Sequence, residues 1–161
     1  MTTPIYFGNR SVTTTGNVGV GTTNPSSYNL QVVGTFGTTG DITAYYSDDR
    51  LKTRTGEITD ALAKVKSLEG FIYRPNELAT AFGFENGQHV CVSAQAVQRV
   101  LPEAIRPAPF DTDTVQGVKV SKTGQGYLTV QYDKLVPLLI EALKELESRV
   151  AQLEAERPPQ S

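Results

Sequence analysis

Ser47 and Lys52 stand five residues apart in YYSDDRLK, residues 45–52, with Asp48, Asp49, Arg50 and Leu51 between them. A serine hydroxyl is a weak nucleophile until a neighbour removes its proton, and a lysine amine can do this only in its neutral form. In water a lysine titrates near 10.4, so at neutral pH fewer than about one in a thousand is neutral; burial must lower that value by about three units, roughly 4 kcal/mol, to make a base. The fold must therefore form before the base exists. On spacing alone the stretch has a second reading, a serine capping a polar turn beside a solvated lysine. The other pair with chemistry is His89 and Cys91, the only histidine and the only cysteine, in HVCV. Two residues apart on one strand is poor geometry for nucleophile activation, and HVCV reads as a buried strand. One cysteine excludes an intrachain disulfide, and one Cys with one His makes no zinc constellation. No metal or cofactor is expected.

Charge narrows the partners. Fifteen Lys and Arg against seventeen Asp and Glu leave a net charge of −2 over 161 residues. That is no polyanion-binding signature, so nucleic acid is not an expected partner. The longest apolar runs cover only a few residues, so neither a membrane span nor a secretory apolar segment is expected. A domain of about 100 residues can still bury a core of its own.

Composition divides the chain into elements that could position these residues. Residues 1–44 are rich in Gly and Thr and carry two charged side chains, Arg10 and Asp41. Short β-branched runs at Val18 and Val20, then Leu30, Val32 and Val33, then Ile42, are separated by turn formers, as in short strands joined by tight turns. Strands this short cannot form a core within one chain; pooling them with other copies is one remedy, and a flexible linker is the alternative reading. Beyond Ser47 the texture is that of a globular α/β unit. Ile58, Leu62, Val65 and Leu68 recur at helical spacing, with Thr59 or Asp60 as cap and Gly70 past the end. HVCVSAQAVQRVLPEAI reads as a strand, then a short helix that Pro102 limits. VQGVKVSKTGQGYLTVQY reads as a hairpin of two runs around a glycine turn. Past Asp133, the expected N-cap, Val136, Leu139, Leu143, Leu146, Val150 and Leu153 step by three and four residues with charges between. This is a coiled-coil seam over about two and a half heptads, or an amphipathic helix packed on its own domain.

Four segments carry a resemblance, in order and spacing: SDDRLK, the helix ending KSLEGFIY, VSAQAVQRVLPEAI, and GYLTVQYDKLVPLLIEALKELESRV. Together, over about residues 47–150, they resemble the intramolecular chaperone domain at the C-terminus of phage tail spikes and tail fibres, called peptidase S74, which also occurs in a myelin-regulatory membrane transcription factor. The segment NVGVGTTNPSSYNLQVVGTFGTTGDI looks like the stalk that precedes this domain. The resemblance implies a self-cleaving Ser-Lys dyad at Ser47 and Lys52, a scissile bond at Tyr46–Ser47, and a scaffolding role for Asp48 and Arg50. One departure stands out: the family usually shows Ala-Gln-Glu-Val where this chain has Ala94, Gln95, Ala96 and Val97.

The expected architecture is α+β: a β-rich stalk segment over 1–46, then a chaperone domain over 47–157 whose C-terminal helix spans about 133–156, assembled as a homotrimer. The expected function is a viral tail fibre or spike protein whose chaperone drives trimerisation and folding of the fibre and is released as a single-turnover, self-cleaving serine endopeptidase. The alternative is an uncleaved trimer cap or receptor-facing tip. Expected partners are two further copies, other virion tail or baseplate proteins and a host surface receptor. The expected location is the virion, after assembly in the host cytoplasm. A serine protease acting on other proteins would need a substrate cleft, which no segment suggests.

Overall fold

The computed structural model describes residues 15–157 apart from 24, 26, 27 and 45. The first fourteen residues of the β-rich segment, Tyr45, and tail residues 158–161 lie outside the described residues. In chain order the strands are β1 (Val18–Val20), β2 (Leu30–Val32), β3 (Gly70–Tyr73), β4 (His89–Val92), β5 (Ile105–Pro107), β6 (Thr112–Val115), β7 (Val118–Ser121) and β8 (Leu128–Val130). The helices are α1 (Ala61–Lys66), α2 (Glu77–Ala81), α3 (Ala94–Val100) and α4 (Leu135–Ala155). The chain is thus mixed α/β and ends in its longest helix. It forms two compact units, residues 1–44 with 109–125, and residues 45–108 with 126–161.

In the first unit β1 and β2 run parallel, with Val18 opposite Leu30 and Val20 opposite Val32. The chain leaves β1 through Gly21 at φ +70, where a Cβ would come within 2.6 Å of the Val33 carbonyl oxygen. Only glycine fits there. The burial pattern is inverted relative to a free-standing sheet: Gln31 is buried with no donor for its Oε1, while Val20, Leu30, Val33, Phe36 and Ile42 are each more than half exposed. Ile42 forms no strand, because no described segment pairs with it.

β6 and β7 make an antiparallel hairpin closed by Gln116 and Gly117 at φ 50 and 81. Two positive φ values are the signature of a type I′ turn. The hairpin turn therefore precedes the expected one at the later glycines. Buried Asp111 accepts the Ser121 hydroxyl at 2.7 Å and the Thr123 N–H at 2.8 Å, drawing the chain away at the end of β7. The run expected as the hairpin's second strand becomes β8, antiparallel to β5 instead. Lys119 Nζ stands 4.5 Å from the Tyr28 ring centroid. That cation–π contact ties the hairpin to the β2 segment.

The second unit is built on two adjoining apolar clusters. Val97 of α3 packs with Ala104, Ile105 and Leu135, and Leu128 and Val130 of β8 close over them. Ser93 caps α3 as the strand-then-helix reading expects, its Oγ accepting the Ala96 N–H at 3.3 Å. The other cluster joins α1 to α4 through Ala61, Leu138 and Ala142, with Ile58, Leu62, Val65 and Leu68 around them.

Several expected boundaries shift. Leu68 lies beyond α1, Ser67 is its C-cap, and Gly70 opens β3 rather than closing the helix. Asp60 occupies the N-cap position at φ 53, ψ 35 and makes no side-chain bond, because its backbone is left-handed instead of the extended form that side-chain caps use. Asp133 falls inside a 3-10 turn over Tyr132–Lys134, and Lys134 carries helical backbone angles straight into α4, so no N-cap interrupts them. HVCV is a strand but not a buried one: among the described residues β3 and β4 pair only with each other, and Val90 is 75 % exposed.

Candidate functional site

The Ser47 turn is built from local hydrogen bonds. Asp48 precedes a single 3-10 turn over Asp49–Leu51 and caps it, its Oδ1 accepting the Arg50 N–H at 2.9 Å. The Arg50 side chain folds back onto the same carboxylate, Nε donating to Oδ1 at 3.0 Å and Nη2 to Oδ2 at 2.6 Å. Two parallel charge-assisted bonds fix geometry as well as charge. The guanidinium hydrogen bond, then the Arg50 backbone N–H and the nearby Lys52 charge, hold the Asp48 carboxyl below the usual range. Leu51 and Lys52 complete the turn by donating their N–H groups to the carbonyls of Asp48 and Asp49, each at 3.1 Å.

Lys52 leaves this turn in extended conformation, and its side chain returns to the residue five positions earlier. Its Nζ donates to the Ser47 carbonyl at 3.0 Å and lies 3.2 Å from Ser47 Oγ. The arrangement can pass a proton between hydroxyl and amine once the amine is neutral. Tyr46, Ser47 and Lys52 are all exposed, with Tyr46 at 70 % and the neighbouring Leu51 at 67 %. A second ion pair, Arg54 to Asp49 at 3.7 Å, joins two side chains more than four-fifths exposed and adds little.

The other expected residues fall elsewhere. His89 and Cys91 lie on β4, where His89 sits opposite Tyr73 with ring centroids 5.4 Å apart, and Cys91 is a free, half-buried thiol. Among the described residues no group of three His, Cys, Asp or Glu could hold a metal ion, and no helix is long and apolar enough to cross a membrane. Val136, Leu139, Leu143, Leu146, Val150 and Leu153 form an open stripe along α4, each at least 45 % exposed, and Ile140 joins them. Leu135, Leu138 and Ala142, on an adjacent face, are buried.

Glu145 bridges two helices, and the sequence pattern does not single it out. It reaches from α4 to the start of α1, where Oε1 accepts the Ala61 N–H at 2.7 Å and Oε2 the Leu62 N–H at 2.8 Å. Those two hydrogen bonds, with the charges of Lys64 and Arg149, hold its carboxyl below the usual range. No local motif marks it, since the groups it serves are more than 80 residues away in sequence.

Residues 47–106 match the family model Peptidase_S74, described as the chaperone of endosialidase. The long tail fiber protein Gp37 of Enterobacteria phage K3 and that of Enterobacteria phage T2 are each 38 % identical to this chain over 109 residues. The match covers 68 % of this chain but only 8 % and 7 % of those relatives, so the chain spans a small part of their length. The family match begins at Ser47, takes in the Asp48–Arg50 turn, Lys52, α1 and the capped α3, and through this stretch the chain belongs to the Peptidase_S74 family, the chaperone of endosialidase.

Proposed function

We propose that this chain is the C-terminal trimerising chaperone of a phage tail fibre or spike, a stalk segment over 1–46 followed by a chaperone domain over 47–157, and that it cuts itself before Ser47. The observation that carries the reading is the Lys52 amine 3.2 Å from Ser47 Oγ inside the family stretch. Two surfaces support assembly. The apolar stripe of α4 is open along its length, and the β1–β2 segment turns its aliphatic side chains outward. Copies meeting at both surfaces cover them and hold the stalk strands in register while they fold, the stage at which loop closure and register slippage are the main obstacles. A trimer suits a fibre, since Leu and Val at the seam do not fix strand number.

The turn supports a route to cleavage. The neutral Lys52 amine takes the proton of the Ser47 hydroxyl as Oγ attacks the carbonyl carbon of Tyr46. The Tyr46–Ser47 C–N bond breaks, and the nitrogen leaves with a proton returned by Lys52. Within one chain this moves the acyl group from the nitrogen of Ser47 to its own oxygen. Water then hydrolyses the ester, leaving a Tyr46 carboxylate and restoring the Ser47 hydroxyl. Removing water from around an amine favours its neutral form, and the exposed turn of the single chain leaves that task to a neighbouring protomer. Assembly then precedes cutting. Once the clamp is gone, refolding of the stalk must cross the nucleation barrier unaided, so the released fibre is kinetically held.

Other tail or baseplate proteins and a host surface receptor complete the proposed partners, with assembly in the host cytoplasm and residence in the virion. The second reading, a permanent trimer cap or receptor-facing tip, is favoured by Ala96 in place of the family's glutamate. A denaturing gel of freshly expressed protein separates the two. Cutting before Ser47 yields two pieces of clearly unequal size, and a single full-length band that persists on incubation sinks the self-cleavage reading.

A further inference from the structure

α1 cannot account for its own existence. At six residues it is far shorter than an isolated helix needs to be in water. Its N-cap residue, Asp60, supplies no side-chain bond, and its first internal bond, from the Lys64 N–H to the Asp60 carbonyl, leaves the leading N–H groups without helical partners. Glu145 supplies two of them at once, one per carboxylate oxygen, and brings negative charge to the positive end of the helix. Around this bridge Ala61 and Leu138 are fully buried and Ala142 nearly so. The groups that face the carboxylate with opposite charge are Lys64 on α1 and Arg149 on α4.

The placement of Glu145 on α4 is informative. Leu138, Ala142 and Glu145 are spaced by four and three residues and make the face turned to α1, while Leu139, Leu143, Leu146 and Val150 make the open stripe. At 100° per residue the two faces lie roughly a quarter turn apart. Rotating α4 to satisfy the stripe therefore sets the direction in which Glu145 points. On the other side, α1 begins nine residues after Lys52 and is the first buried anchor on the chain that leaves the Ser47 turn.

We propose that Glu145 is a positioning residue for the self-cleavage turn: a carboxylate on the assembly helix that nucleates α1 from a distance and thereby fixes the chain running out of Lys52 only when α4 is in place. The proposal rests on the self-cleavage reading for its consequence but not for its structural step. It links the seam, the α1 docking face and the Ser47 turn through one side chain.

The test uses the full chain with Glu145→Ala and the isosteric Glu145→Gln, which keeps the volume and one acceptor oxygen but removes the second acceptor. Amide hydrogen exchange is followed at Ala61 and Leu62, with the Gln131 N–H, bonded to the Ala104 carbonyl at 2.8 Å beside the Val97 cluster, as internal reference. In both variants the two α1 amides exchange faster by on the order of tenfold or more, as loss of charge-assisted bonds implies, while Gln131 is unchanged in Glu145→Gln. Cutting before Ser47 slows several-fold with its pH profile unmoved, since the base is untouched. Unchanged exchange at Ala61 and Leu62 overturns the proposal, and so does faster exchange with an unaltered cutting rate. A wild type that never cuts removes the self-cleavage reading, while faster exchange in the variants still establishes the Glu145 bridge.

Discussion

Lys52 donates to both the carbonyl and the hydroxyl of Ser47. A neutral amine keeps one N–H on the carbonyl while turning its lone pair to the hydroxyl, so the same rotamer serves before and after proton transfer. Arginine cannot do this, because it stays protonated at any working pH. Lys52→Arg is therefore expected to abolish cutting while leaving assembly intact, and cutting at the wild-type rate on a time-course gel would leave the serine without a base. The wild-type rate should rise with pH and then level off. Ser47→Ala removes an exposed hydroxyl, so the expected stability change is within about 1 kcal/mol, and native sedimentation should still show an assembled, uncut oligomer. Asp48 gives a pH prediction. Its carboxyl is held below the usual range, so the bond to Arg50 contributes above the unfolded value and is lost as pH falls through the folded one. The Arg50 side-chain N–H resonance should stay fixed from neutral pH to about 4 and move only below it. This turn was legible in the sequence because all its bonds span five residues or fewer.

Elements were legible where one period decided them. The three-and-four spacing of α4 and the serine-led start of α3 appear where they are expected, since each depends on residues within a turn or two. The cap of α1 and the hairpin were not legible, and for one reason: the deciding groups are distant carboxylates, Glu145 for α1 and Asp111 for the end of β7. Position 96 gains a meaning from the structure. It is the third residue of α3, and its N–H is the one that Ser93 caps. A glutamate there reaches back to the N-cap N–H and completes a capping box, so Ala96 omits half of a helix cap. Ala96→Glu should stabilise the domain by roughly 0.5–1 kcal/mol in thermal or urea unfolding; no gain would mean that the family's glutamate serves something other than α3. Leu138, fully buried between α1 and α4, sets the opposite scale. Leu138→Ala should cost about 2–5 kcal/mol, the range for emptying a packed aliphatic site.

At the scale of the whole molecule, one chain leaves too much apolar surface uncovered for its size. Leu143 and Leu153 are 65 % and 66 % exposed on a helix whose buried residues, Leu135, Leu138 and Ala142, all lie in its first half, and Leu30 and Val33 of the β1–β2 segment are 53 % and 61 % exposed. Exposed aliphatic side chains at three-and-four spacing along one helix are the pattern an assembly seam would use. Two readings of α4 were open from its sequence, a seam between chains and a face packed on its own domain. Leu135, Leu138 and Ala142 pack on the domain, while the stripe residues stay exposed. That separation makes the assembly claim testable by one charge. Leu143→Glu places a carboxylate in the middle of the stripe without touching the buried face, so the far-ultraviolet spectrum and the Val97 cluster should be preserved. In the uncut Ser47→Ala background, sedimentation equilibrium at micromolar concentration should give three times the chain mass with Leu143 and one with Leu143→Glu. If self-cleavage needs a neighbour to cover the Ser47 turn, Leu143→Glu alone should also stop cutting, although Ser47 and Lys52 are then unchanged and remain within 3.2 Å of each other. A variant that is monomeric yet cuts at the full rate would place the whole reaction within one chain and leave the stripe to fibre assembly alone.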